Sequence, residues 1–136
     1  MTRINVVPVA ELNDKHLLAE YRELPRVFGA ATKAWEKHGY GLWDRLPNEY
    51  TLGRGHVSFF YWRLTFCAMR QTALIQECLN RGFRIKWGFD SIIAMYQQTP
   101  DALHNDYLVT EDALRINRER IATRLREASQ RRTARR

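Results

Sequence analysis

Between Lys15 and Arg26 the chain places carboxylates among cations: Lys15, His16, Glu20, Arg22, Glu23 and Arg26. On a helix, at about 100° per residue, Arg22, Lys15 and Arg26 fall within roughly 40° of one another. Leu17, Tyr21, Leu24 and Phe28 gather between roughly 200° and roughly 260° as a stripe to bury. Glu23, His16 and Glu20 lie between the two, at roughly 100°, roughly 120° and roughly 160° in turn. A carboxylate there, beside two arginines and close to the buried edge, suits an acid that must meet a phosphate-bearing substrate. The same spacing also makes an ordinary surface ion pair, Glu23 with Arg26, worth a few tenths of a kcal/mol. The pattern alone leaves both readings open.

Other chemistries find no residues to carry them. The four histidines and two cysteines form no metal-ligand spacing. There is no G-x-S-x-G, no P-loop and no paired Cys/His signature.

Three helices are predicted to position these groups. The first runs from Asp14, its expected N-cap, to Gly39, with Pro25 removing the bond to the Tyr21 carbonyl and kinking it. The second starts near His56 or Ser58 and ends at Gly82, with Phe60, Leu64, Cys67, Leu74, Ile75, Cys78 and Leu79 on its apolar side. The third follows Thr110, with Glu111 and Asp112 in its positive first turn and Leu114, Ile121 and Leu125 inward. Residues 39–55 and 84–109 read as connectors, and good strand signals are lacking. The expected fold class is all-α, one domain over residues 1–136 with a flexible basic tail from about 129.

Cys67 and Cys78 share one helix about 16 Å apart, beyond disulfide reach, as in a reducing compartment. No apolar run approaches the roughly 20 residues of a membrane span, and no signal peptide is evident, so a cytoplasmic protein is expected. The net charge of +7 is one-sided. Residues 1–114 hold 13 Lys/Arg and 13 Asp/Glu, whereas residues 115–136 hold nine arginines against Glu119 and Glu127. An arginine-rich end on a neutral body points to an anionic partner, nucleic acid first.

Three blocks carry a resemblance. They are Thr2-Arg3-Ile4-Asn5; His16-Leu17 with Ala19-Glu20-Tyr21-Arg22-Glu23-Leu24-Pro25-Arg26-Val27-Phe28-Gly29; and Leu52-Gly53-Arg54-Gly55-His56-Val57-Ser58-Phe59-Phe60-Tyr61. With Arg70-Gln71 and Glu77-Cys78-Leu79-Asn80-Arg81-Gly82-Phe83, they resemble the pyrimidine-dimer DNA glycosylase family over residues 2–86. The resemblance implies a compact fold of three main helices, with the N-terminal segment threaded between them. It implies removal of Met1, the α-amine of Thr2 as nucleophile and Glu23 as catalytic carboxylate. Arg3, Arg22, Arg26, Lys33 and Lys86 match cationic positions at the DNA-facing site, and His16 matches a residue beside it. The implied activity is excision of cyclobutane pyrimidine dimers through a Schiff base, then strand cutting at the abasic site by β-elimination. The implied substrate is double-stranded damaged DNA, kinked with a base extruded opposite the lesion. No metal or organic cofactor is required, and a monomer is expected.

The second half departs from the pattern. The family's familiar phage enzyme ends in an aromatic-rich tail that helps recognise the lesion; here no aromatic follows Tyr107. Trp87, Phe89 and Tyr96 are the available stacking surface, and Arg118 is the best candidate for a phosphate contact on the third helix. A different lesion, plain abasic sites or a non-catalytic DNA-binding module are the alternatives. Trp35, Trp43 and Trp62 are expected to pack. His56 fits a phosphate contact, a cap or packing equally well.

Overall fold

The computed structural model describes residues 3–135 as an all-α chain, with no strand among them. Five helices follow in order: α1 (Asp14–Glu23), α2 (Arg26–His38), α3 (Leu64–Asn80), α4 (Phe89–Gln97) and α5 (Glu111–Ala134). α1 and α4 both pack on α3, the most apolar of the long helices.

Proline explains the first division. Pro25 offers no N–H, so the Tyr21 carbonyl loses its helical partner, and the buried Gln71 amide on α3 donates to it instead (2.9 Å). The expected kink is therefore a break, and the chain resumes as α2 with Val27 and Phe28 donating to the Leu24 and Pro25 carbonyls. Leu17, Tyr21, Leu24 and Phe28 are buried as the stripe predicts. The N-cap of α1 is Asn13 rather than Asp14: its side chain accepts the His16 N–H (2.8 Å), leaving Asp14 as the first-turn acid.

The expected second helix begins later than its apolar residues suggest. Gly53 and Gly55 take φ of +70° and +89°, outside the helical region. Ser58–Phe60 forms only a 3-10 turn, and regular α-helix starts at Leu64. Cys67 and Cys78 both lie on α3, buried and unbridged. α4 occupies a stretch expected as a connector; it buries Ile92 and packs on α3. Trp35 and Trp62 each pack on Trp43 in a T-shaped, edge-against-face arrangement, with centroids 5.7 and 6.1 Å apart.

α5 begins as predicted, with the Thr110 hydroxyl accepting the Ala113 N–H (3.0 Å). Its inner face, however, is Ala113 and Asn117, while Leu125 is exposed and Leu114 and Ile121 are only half-buried. The stretch from about 129, expected as a flexible tail, carries the helix on to Ala134.

Residues 4–7 are buried extended chain, and their polar groups are satisfied by four separate regions. The Ile4 N–H donates to His56 Nε2 (2.9 Å) and the Val6 N–H to Asn117 Oδ1 (2.7 Å). The Asn5 side-chain amide donates to Glu20 on α1 (2.7 Å) and accepts from the Asn117 side chain on α5 (2.8 Å). Arg70 on α3 donates to the Val7 carbonyl and pairs with Glu20 (2.8 Å), both side chains almost fully buried.

Candidate functional site

Arg3 is the first described residue, and Thr2, the nucleophile that the resemblance implies, lies outside the described residues. The Arg3 side chain is half-buried, with charged and polar groups of α1, α5 and the connector after α2 around it. Burial first, then the positive charges of Arg124 and Arg120 on α5, hold its pKa below the ordinary arginine value; Tyr50 and Glu23 oppose the shift. Glu23, the last residue of α1, is thus the carboxylate that Arg3 feels. It makes no ion pair among the described residues, so the surface pair with Arg26 is not formed. The break at Pro25 puts Arg26 on a different helix.

Two histidines border the same cluster. His16 is half-buried, and burial, Lys15, Arg124 and Arg3 all hold its pKa below the ordinary histidine value. His56 is buried, donating from Nδ1 to the Thr51 carbonyl (2.8 Å) and accepting the Ile4 N–H at Nε2. Those two partners select the neutral Nδ1–H tautomer. Burial is the largest influence lowering its pKa; the Thr51 bond opposes this, and Arg3 and Arg120 add to it. A phosphate contact is thereby ruled out for His56, since both ring nitrogens are used inside.

Arg22 and Arg26 are exposed at the rim of a cavity of about 300 Å³ between α1, α3 and α4. Tyr21, Pro25, Gln71, Ile75, Trp87, Ile92 and Met95 line it. The wall is largely apolar; Gln71 donates from its amide nitrogen to the Tyr21 carbonyl, and its Oε1 is enclosed without a partner. Tyr21 also fixes the far wall. Its hydroxyl donates to the Trp87 carbonyl (2.8 Å) and accepts the Trp87 N–H (3.0 Å). Trp87 is half exposed at the mouth with Lys86 Nζ 4.9 Å from its ring centre. Arg22, Arg26, Lys86 and Trp87, far apart in sequence, are thus brought to one opening.

The other nominated cations stand apart. Lys33 is exposed two turns along α2 from Arg26. Arg118 is held by Glu11 through two bonds (2.8 and 3.0 Å). Arg120 and Arg124, which the sequence reading passed over, instead face Arg3, and Arg120 Nε is buried with no partner. The signal was present in the spacing, since they follow Asn117 by three and seven positions on one face.

A family model described as pyrimidine dimer DNA glycosylase matches residues 1–90. The chain belongs to that family. It is accordingly a DNA glycosylase of DNA repair, and its substrate is DNA. The match takes in α1, α2, α3 and the Arg22–Trp87 opening, whereas most of α4 and all of α5 lie beyond it. No described helix is long and apolar enough to cross a membrane.

Proposed function

We propose that this glycosylase excises cyclobutane pyrimidine dimers with the α-amine of Thr2 and then cuts the strand as an abasic-site lyase. The observation that supports this reading is the convergence of Arg3, Glu23 and the anchored residues 4–7, since Thr2 is the residue bonded to Arg3 in sequence. An α-amine has a pKa near 8, so an appreciable neutral fraction exists at physiological pH. The positive field of Arg3, Arg120 and Arg124 disfavours the ammonium and enlarges that fraction.

The amine nitrogen attacks C1′ of the damaged nucleotide, forming a C–N bond as the glycosidic bond breaks and the base leaves with its electron pair. Ring opening gives the protonated imine of a Schiff base, losing one proton from nitrogen and adding one to the sugar ring oxygen. Glu23 stabilises the developing sugar cation and the iminium by its charge. It also accepts and returns protons during ring opening and removes a C2′ proton, expelling the 3′ phosphate in β-elimination. Water finally releases the sugar and restores the amine.

Arg3, Arg22, Arg26, Arg120 and Arg124 hold backbone phosphates, with Lys33, Lys86, His16 and Arg118 around them as further nominated contacts. The cavity beside Arg22 and Arg26 suits a base extruded from the duplex, whose faces its apolar walls take.

The test is borohydride trapping on dimer-containing and abasic duplexes side by side, with intact mass read on the same sample. A trapped adduct on both, by protein beginning at Thr2, is expected. Trapping on the abasic duplex alone makes the chain a lyase only. Active protein that retains Met1 throughout rules out the amine.

A further inference from the structure

The arginines of α5 are sorted by direction. With Arg120 as the origin, Ala113, Asn117, Arg124, Arg131 and Arg135 all fall within about 60° of it, on one side. This is the face that Ala113 and Asn117 bury against the body, Asn117 directly on residues 5–7. Arg120 and Arg124 meet the Arg3 cluster on it, and beyond them it emerges into solvent. On the other side the first arginines are neutralised, Arg115 by Asp112 (2.6 Å) and Glu119 (3.2 Å) and Arg118 by Glu11 (2.8 Å), whereas Arg126 and Arg132 further along it are unpaired among the described residues. Among the described residues, Arg120, Arg124, Arg131 and Arg135 form no ion pair. Over residues 120–135 there are six arginines against Glu127 alone.

We infer that Arg131 and Arg135 continue the phosphate-binding surface of Arg120 and Arg124 along one flank of the duplex, outside the lesion. The inference rests on the reading that the Arg3 cluster is where DNA docks. Three observations choose duplex DNA as the occupant. The face is continuous with that cluster, its charge is unanswered by the protein, and its reach suits a duplex flank. From Arg120 to Arg135 the helix rises about 22 Å, against about 3.4 Å per base pair, so the stripe follows up to roughly six base pairs. A stripe of arginines with no aromatic holds phosphates whatever the sequence. Far from its packing partners this helix end has little to stabilise it by itself, and phosphates along one face supply that.

The test compares full-length wild type, R131Q/R135Q and R126Q/R132Q. The first pair of changes lies on the stripe, and the second points away from it, by about 240° and about 120° from Arg120. Glutamine preserves helix propensity in both variants. Binding is measured by anisotropy against salt on a damaged duplex of about 30 base pairs and on one trimmed close to the lesion. R131Q/R135Q should lower the salt slope by about 1.8 on the long duplex, two contacts at about 0.9 each. The wild-type advantage in affinity then shrinks about twelvefold between roughly 50 mM and roughly 200 mM salt. R126Q/R132Q should stay near wild type, and all three should agree on the trimmed duplex. Equal losses from both variants, a loss that persists on the trimmed duplex, or an unchanged slope overturns the stripe while the docking site stands. Failure of wild type to bind the damaged duplex overturns both.

Discussion

Replacing His56 with alanine tests whether one imidazole holds the N-terminal segment in place. His56 Nε2 is the acceptor for the buried Ile4 N–H (2.9 Å), and alanine leaves that donor unpaired. An orphaned buried N–H costs about 1–3 kcal/mol. Loss of the ring's edge contacts with Tyr50 and Phe60, at 5.5 and 5.9 Å between centroids, removes stabilisation as well. Those contacts are worth about 1–2 kcal/mol. The sum, about 3 kcal/mol, corresponds to a fall in Tm of about 12 °C for a chain of this size. Glutamine places Oε1 where Nε2 sits and should recover about half of that loss, whereas asparagine, too short to reach, should recover little. Thermal unfolding followed by circular dichroism reads these differences. Trapping well below each Tm reads delivery of the amine, which should fall about tenfold or more in His56→Ala. Equal Tm values for the alanine, asparagine and glutamine variants would refute the acceptor role. The pH dependence gives a second check. The folded state holds His56 below its unfolded pKa, because the neutral ring is the one that is buried and bonded. Unfolded chain therefore takes up the proton first, and stability is full above about pH 6.5 and falls as pH drops below that value. His16 acts in the same direction. The decline should be shallower in His56→Gln.

Three further outcomes follow from the same geometry. Glu23→Gln should bind damaged duplex at near wild-type affinity, with single-turnover strand cleavage lower by about 10²-fold or more; near wild-type cleavage removes Glu23 from the chemistry. Arg22→Ala and Arg26→Ala should each weaken binding and reduce the salt slope by about 0.9, measured by anisotropy titration. Asn117→Ala leaves the Val6 and Val7 N–H groups without their acceptor and the Asn5 side-chain carbonyl without its donor. It should cost about 3 kcal/mol in a denaturant melt while leaving the sequence of residues 1–90 intact.

Periodicity carried most of the helical reading because α1 and α3 bury residues at helical spacing, and α1 and α5 start at side-chain caps of recognisable type. α4 escaped because it is short, starts at Gly88 without a side-chain cap and buries chiefly Ile92 against α3, so its stability is tertiary. The Pro25 defect was legible, but its repair was not. Gln71 is recruited by a carbonyl on another helix, a pairing with no local signature. In the same way the excess charge of the C-terminal region was plain from composition, but Arg118 and Arg120 differ only in direction. The choice between them depends on which face of α5 Asn117 buries, and an isolated asparagine carries no sequence signal of burial. His56 was ambiguous for a related reason: its partner is a backbone amide near the chain's beginning, and a backbone amide leaves no mark in sequence.

The bonds from Val6 and Val7 to Asn117 span 111 and 110 residues, so they close late in synthesis. Residues made early are completed by one made long after them. At about 5–20 residues per second, Val6 and Val7 wait on the order of ten seconds for that partner. During this interval α1, α2 and α3 can form and pack, but the N-terminal stretch lacks the acceptor that fixes it. Nascent or prematurely terminated chains thus present these residues unlocked. The last helix to leave the ribosome is thus the one that completes the first buried segment of the chain.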